Sequence, residues 1–116
     1  MRALRTAERL VDEDPDASAS RAYYAAFYAV RALFALEQRT FRKHAEVEAA
    51  VHRDLVKPGR WPTEVGADFS WLANLRHTGD YGGEAHVKPE EAGDALRKAQ
   101  RILESVRETS PGSFAS

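Results

Sequence analysis

The run Ser20–Phe34, SRAYYAAFYAVRALF, interleaves alanines with large rings and constrains the fold more than any other stretch of the chain. Tyr24, Phe27, Tyr28, Arg31 and Phe34 fall at i, i+3, i+4, i+7 and i+10, the spacing of one helical face. Tyr23, Ala26, Val30 and Leu33 make a second face, which leaves little surface for water. A helix apolar on more than one side is a central element packed against several neighbours. Its alanines let those neighbours approach closely, and its rings fill the space between them.

The rest of the chain supplies the neighbours. Leu4, Ala7, Leu10 and Val11 predict a short first helix ending near Asp12. Asp14-Pro15-Asp16 follows, an acidic cap with proline in the first turn, and Ser18 and Ser20 are alternative caps. The long second helix is expected to run to about Arg39. A third helix spans about 43–56 and stops at Lys57-Pro58-Gly59. Thr63 after Pro62 caps a fourth, whose Val65, Phe69, Leu72, Leu75 and Arg76 share a face and which Gly79 and Gly82-Gly83 terminate. Pro89-Glu90-Glu91 opens a fifth with proline first and acids at the positive dipole end. The stripe Ala92, Ala95, Leu96, Ala99, Ile102, Leu103 and Val106 carries that helix. No strand pattern competes. Short connections between amphipathic helices make antiparallel neighbours, so the expected class is all-α, an up-and-down bundle of four or five helices. Residues 1–110 are expected to form one domain and 111–116 a flexible tail.

Composition removes several function classes. With 116 residues the chain is long enough to bury a core without staples. It has no cysteine, which excludes disulfides, thiolate metal sites and a cysteine nucleophile. The net charge of -1 excludes a global basic field for nucleic acid, so any RNA contact needs a local patch. No apolar run approaches the roughly 20 residues of a membrane span. The first residues lead into an amphipathic pattern, not a signal sequence, so a soluble cytoplasmic protein without a membrane association is expected.

Four segments, in order, resemble the HEPN family (higher eukaryotes and prokaryotes nucleotide-binding). Ser20–Tyr28 is similar to the family's signature second helix. Lys43-His44 and His52-Arg53-Asp54-Leu55-Val56-Lys57 with Gly59 resemble its middle helix and exit. Leu75-Arg76-His77-Thr78-Gly79-Asp80-Tyr81-Gly82 resembles its arginine-to-Asp-Tyr segment. Val87–Ala92 resembles the start of its last helix. The likeness covers about residues 18–107. It implies a helical bundle that often dimerises. Many members are metal-independent ribonucleases of toxin–antitoxin and defence systems, and others are non-catalytic RNA- or nucleotide-binding partners. Many sit beside a minimal nucleotidyltransferase antitoxin, which in some pairs adenylylates a tyrosine near the active motif.

The resemblance also assigns residues. Ribonuclease members carry an arginine, four to six residues, then a histidine. The arginine grips phosphate through a bidentate fork, and the histidine moves protons to and from the 2′-hydroxyl or the leaving oxygen. Arg76 matches the arginine, but Tyr81, Gly82 and Gly83 stand where the histidine belongs. Candidate catalytic residues are therefore Arg76 with His77, Asp80 or His86 as substitutes, and Arg76 with Tyr81 are the candidate nucleotide contacts. His77 points about 100° from its neighbour on a helix. His86 follows Gly82-Gly83, where a loop could fold back over Arg76. An exposed Asp80 is a weak base near neutral pH, and Arg76–Asp80 at i+4 is also an ordinary helix pair.

The remaining features read as surface or packing. Arg39 to His44 has the motif spacing but crosses a helix break, so it reads as coincidence. His44, Glu48 and His52 share a helix face, yet the histidines are about 12 Å apart along the axis. A solvated face or subunit contact is expected there, with no metal and no other cofactor. Trp61 and Trp71 read as packing or interface residues, Trp71 lying off the main stripe. Arg39, Arg42 and Lys43, and then Arg53, Lys57 and Arg60, are the candidate RNA-phosphate clusters. The expected partners are a second copy of the chain, a minimal nucleotidyltransferase, and RNA or a nucleotide.

Overall fold

The computed structural model describes residues 2–81, 83 and 86–110, with side chains described except at 2–3 and 79–81. Five α-helices follow one another: α1 (Arg2–Leu10), α2 (Pro15–Leu36), α3 (His44–Ala50), α4 (Thr63–Tyr81) and α5 (Pro89–Thr109). A π-helical segment, Val51–Val56, continues α3. No strand occurs among the described residues, and the class is the all-α bundle that the sequence predicts. The expected tail 111–116 lies outside the described residues.

The helix α2 is the centre, packed against α1, α4 and α5. Asp14 caps it, its Oδ1 accepting from the Ala17 N–H at 3.1 Å, while Pro15 takes the first helical position without forfeiting a hydrogen bond. Ser18 is not a cap. It is fully buried and donates to the Ala7 carbonyl at 2.6 Å, docking α1 on α2. The core layer contains Val30, Leu33 and Phe34 of α2 with Phe69 and Leu72 of α4 and Ile102 of α5, all fully buried. The expectation of a helix covered on nearly all sides is corrected at one edge: Tyr28 is 58 % exposed and Arg31 is exposed.

Three helix ends depart from expectation for local reasons. The helix α2 stops at Leu36, not Arg39, because Gln38 turns to φ 61° and the Arg39 N–H bonds back to the Phe34 carbonyl at 2.9 Å. Thr63 is the first residue of α4 and not its cap; the Pro62 carbonyl accepts from the Val65 N–H at 3.1 Å. Gly79 does not end α4, which continues to Tyr81, directly before the Gly82-Gly83 pair that the sequence also names as its end. One glycine costs a helix only about 1 kcal/mol, so it does not by itself end one.

The π-helical segment was not legible as such. Its Lys57 N–H reaches the His52 carbonyl at 3.0 Å, five residues back. It packs on α4 at Gly66, where a Cβ would lie 2.6 Å from Val56 Cγ2 and 3.1 Å from the His52 ring. Gly66 is therefore the close-approach point between these elements. Beyond them, buried Trp61 donates from Nε1 to Thr109 Oγ1 at 2.9 Å, tying the turn to the end of α5. Asp68 on α4, 4 % exposed, accepts from Arg101 at 2.8 and 2.9 Å and pairs with Lys98 at 3.4 Å.

Candidate functional site

Bundle packing turns the Arg76 face of α4 toward Tyr23 and Tyr24 of α2. The Arg76 guanidinium carbon lies 5.4 Å from the centroid of each ring, within cation–π range, and its Nη2 donates to the Tyr24 hydroxyl at 3.1 Å. Arg76 is half-buried, which strengthens its electrostatic reach over that of a surface arginine.

His44, the first residue of α3, joins the same group. Lys43 donates its N–H to Glu46 Oε1 at 2.9 Å, which fixes the start of α3. The connection from α2 then places the imidazole over Phe27, centroids 4.1 Å apart and planes 17° from parallel. His44 Nδ1 is 2.9 Å from the Tyr23 hydroxyl, and its ring is 5.9 Å from both Tyr23 and Tyr24. Withdrawal of the ring from water against Phe27, then the positive charges of Arg76 and Arg31, hold His44 below the ordinary imidazole pKa. It is neutral at neutral pH. Tyr23 is pushed up to about 12, chiefly by burial, partly offset by Arg76 and reinforced by Tyr24 and Glu48. Its phenol keeps its proton.

Of the expected substitutes, His86 is not brought to this cluster. His86 pairs with Asp16 in the first turn of α2, Nδ1 to Oδ2 2.9 Å, while Asp16 Oδ1 accepts from the Val87 N–H at 2.7 Å. Val87 is buried beside it, so the loop before α5 is fastened there and not folded over Arg76. Asp16 precedes Tyr24 by eight residues, about 12 Å along the helix axis. His77 is exposed on the turn beside Arg76. The side chains of Asp80 and Tyr81 lie outside the described residues.

The face His44–Glu48–His52 is not simply solvated. Ser70 of α4 donates to Glu48 Oε2 at 2.6 Å and meets His52 Nε2 at 2.8 Å, while His44 turns to Tyr23. Among the described residues no group of three or more His, Cys, Asp or Glu is placed to hold a metal ion. Three of the six residues in the proposed basic clusters are engaged in ion pairs. Arg39 and Arg53 both pair with Asp54 at 2.8 Å, and Arg60 pairs with Glu37 at 2.5 Å. The Arg53 hydrogen bonds, then Arg39, hold Asp54 down at about 2. Trp71 packs on the core edge with Lys98 Nζ 4.9 Å from its ring centroid.

Sequence reasoning missed His44. The signals present were the Lys43-His44 pair of the family resemblance and the Arg39–His44 spacing, the latter for the wrong arginine. What makes His44 part of the site is its 21-residue separation from Tyr23, closed by the α2–α3 turn.

Among the described residues no helix is long and apolar enough to cross a membrane. No solved structure matches the chain. A UPF0332 protein of Thermotoga maritima is 36 % identical over 97 residues, 84 % of this chain and 74 % of that protein. A UPF0332 protein of Gloeobacter violaceus is 31 % identical over 107 residues, 90 % of this chain and 85 % of its own length. A protein of Methanocaldococcus jannaschii named "Putative toxin MJ0142" is 28 % identical over 107 residues, covering 91 % of this chain and 73 % of that protein. The family model of the HEPN domain matches residues 1–109, nearly the full bundle and all of the cluster just described. With that match and the two relatives above 30 % identity, the chain belongs to the HEPN domain family.

Proposed function

We propose that this HEPN protein is the toxin-type component of a prokaryotic toxin–antitoxin or defence pair and that it acts on RNA at the Arg76–His44 cluster. The observation that carries the reading is the convergence of Arg76 from α4 and His44 from α3 on the same two tyrosines of α2. Arg76 supplies a phosphate clamp that never loses its charge. His44 supplies a neutral imidazole beside it. The Tyr23 hydroxyl both donates and accepts, so it supports either His44 tautomer: O–H to bare Nδ1, or Nδ1–H to the phenol oxygen. His44 Nε2 can therefore take the 2′-hydroxyl proton as that oxygen attacks phosphorus, then return it to the departing 5′-oxygen. The product is a cyclic 2′,3′-phosphate, formed without metal. The name of the Methanocaldococcus jannaschii relative supports the toxin assignment.

The pair's other member is a minimal nucleotidyltransferase antitoxin, and the protein works as a homodimer with the two Arg76 regions facing a shared cleft. The half-exposed Leu36 on α2 supports a subunit contact. A second reading, binding of RNA or nucleotide without cleavage, is favoured by two observations: His86 is fastened to Asp16, and no motif histidine stands after Arg76. Incubating purified protein with RNA in EDTA decides between them. Cleavage that Arg76→Ala abolishes supports the ribonuclease. Binding without cleavage, weakened by the same substitution, supports the binder. An Arg76→Ala protein that folds, binds and cleaves like its parent defeats both.

A further inference from the structure

Tyr28 is the large ring of α2 left open to water, 58 % exposed, one helical turn beyond Tyr24. It is not isolated. Tyr24 backs it at 5.8 Å with planes 27° apart, and Phe27 meets it edge-on at 5.5 Å. Tyr24 is the ring whose hydroxyl accepts from Arg76. A continuous path of π faces thus leads from the phosphate clamp to an open ring, in steps of 5.4 and 5.8 Å.

Arg31 sits one turn further on the same edge, its guanidinium carbon 5.7 Å from the Phe27 centroid. Among the described residues no carboxylate is in ion-pair contact with it. Its charge is felt at His44 together with that of Arg76. Two guanidiniums, a neutral imidazole and an exposed ring on one edge suit a ligand that is both anionic and flat. An acidic peptide would use the charges and leave the ring idle. A duplex has its bases already paired and stacked, and its grooves do not present them to a surface ring. An unpaired nucleobase uses every part.

Building on the reading that Arg76 and His44 hold an RNA phosphate, we propose that Tyr28 and Arg31 form a base-stacking subsite that selects single-stranded RNA. Tyr28 carries the base, and Arg31 holds the neighbouring backbone phosphate. Stacking on an aromatic ring is largely indifferent to base identity, so the subsite selects strandedness and not sequence.

The test is fluorescence anisotropy with a short labelled single-stranded RNA, the same oligomer carrying abasic residues, and its duplex. The parent is expected to bind the intact single strand roughly tenfold tighter than the abasic one, the size of one stacked base. Tyr28→Ala and Tyr28→Leu should lose that preference, Leu keeping apolar bulk without a flat face, and Tyr28→Phe should keep it. Arg76→Ala should weaken intact and abasic RNA alike while retaining the preference, which separates the two sites. Equal affinity of the parent for intact and abasic RNA overturns the subsite and leaves the Arg76 reading standing. So does a Tyr28→Leu protein that retains the preference, including one that has merely lost a subunit contact and fallen in mass. A parent that binds no RNA at all overturns both.

Discussion

The imidazole of His44 lies face to face with the ring of Phe27, 4.1 Å between centroids, while its Nδ1 contacts the Tyr23 hydroxyl at 2.9 Å. One apolar ring and one phenol thereby set the position of the histidine. The neighbouring arginines, Arg76 and Arg31, help set its charge.

The first prediction is a titration. His44 in the unfolded chain protonates near 6.5, and in the folded chain lower, because ring burial and then Arg76 and Arg31 oppose its cation. Between those two values the unfolded chain binds more protons, so stability falls as pH drops through that window and is flat above it. NMR of the histidine Cε1 protons should show His44 titrating below 6.5, and Arg31→Gln should move it upward. A His44 midpoint at or above 6.5 would remove the electrostatic account of the site.

Replacing Phe27 by alanine should cost about 3–5 kcal/mol, the usual range for a large buried ring. Phe27 is 3 % exposed and carries stacking contacts to Tyr23 and His44. Thermal melting should drop by roughly 10 °C or more, and the His44 titration should return toward the ordinary imidazole value. An unchanged melting temperature would contradict the packing described.

Arg76→Lys is the sharper of the two arginine substitutions, because it keeps the charge and discards the planar fork. If the protein cleaves RNA, Arg76→Ala should lower the rate on the order of 100-fold or more, as loss of a preorganised transition-state donor does. Arg76→Lys should recover only part of it. His44→Gln should lower the rate comparably, His86→Gln should not. Single-turnover cleavage in EDTA measures all four.

Asp68 should be a structural acid. Its carboxylate is 4 % exposed and takes three contacts from Lys98 and Arg101 across the α4–α5 interface. Asp68→Ala should cost about 1.5–3 kcal/mol, the range for hydrogen bonds to a charged group. RNA binding at moderate temperature should remain unchanged. Urea unfolding alongside the binding assay checks both halves.

Much of this fold could be read without coordinates because its determinants are local. Pro89 opens α5 where the sequence places it, and the Ala92–Val106 stripe is buried apart from half-buried Leu96. Tyr24 and Tyr28 illustrate the limit. Helical period puts both on one face, but only the placement of α1, α4 and α5 around α2 decides that Tyr28 stays open. Arg76 was legible from its motif, whereas His44 reaches it through a turn whose geometry no pattern in the chain announces. The pairing of His86 with Asp16 joins residues 70 positions apart and was equally out of reach.

Gly66 and the π-helical segment have an evolutionary consequence. A π-helical turn, bonded i to i+5, is wider than a regular turn, and it packs closely on a neighbouring element only where that element yields room. Here the room is the missing side chain of Gly66, since a methyl group there would meet Val56 at 2.6 Å. The widened turn and the glycine are therefore expected to change together, although they lie at two distant positions. Relatives in which α3 continues as a regular helix should carry a side chain at the position of Gly66. Relatives that keep the widened turn should keep the glycine, however far the rest of the surface has drifted.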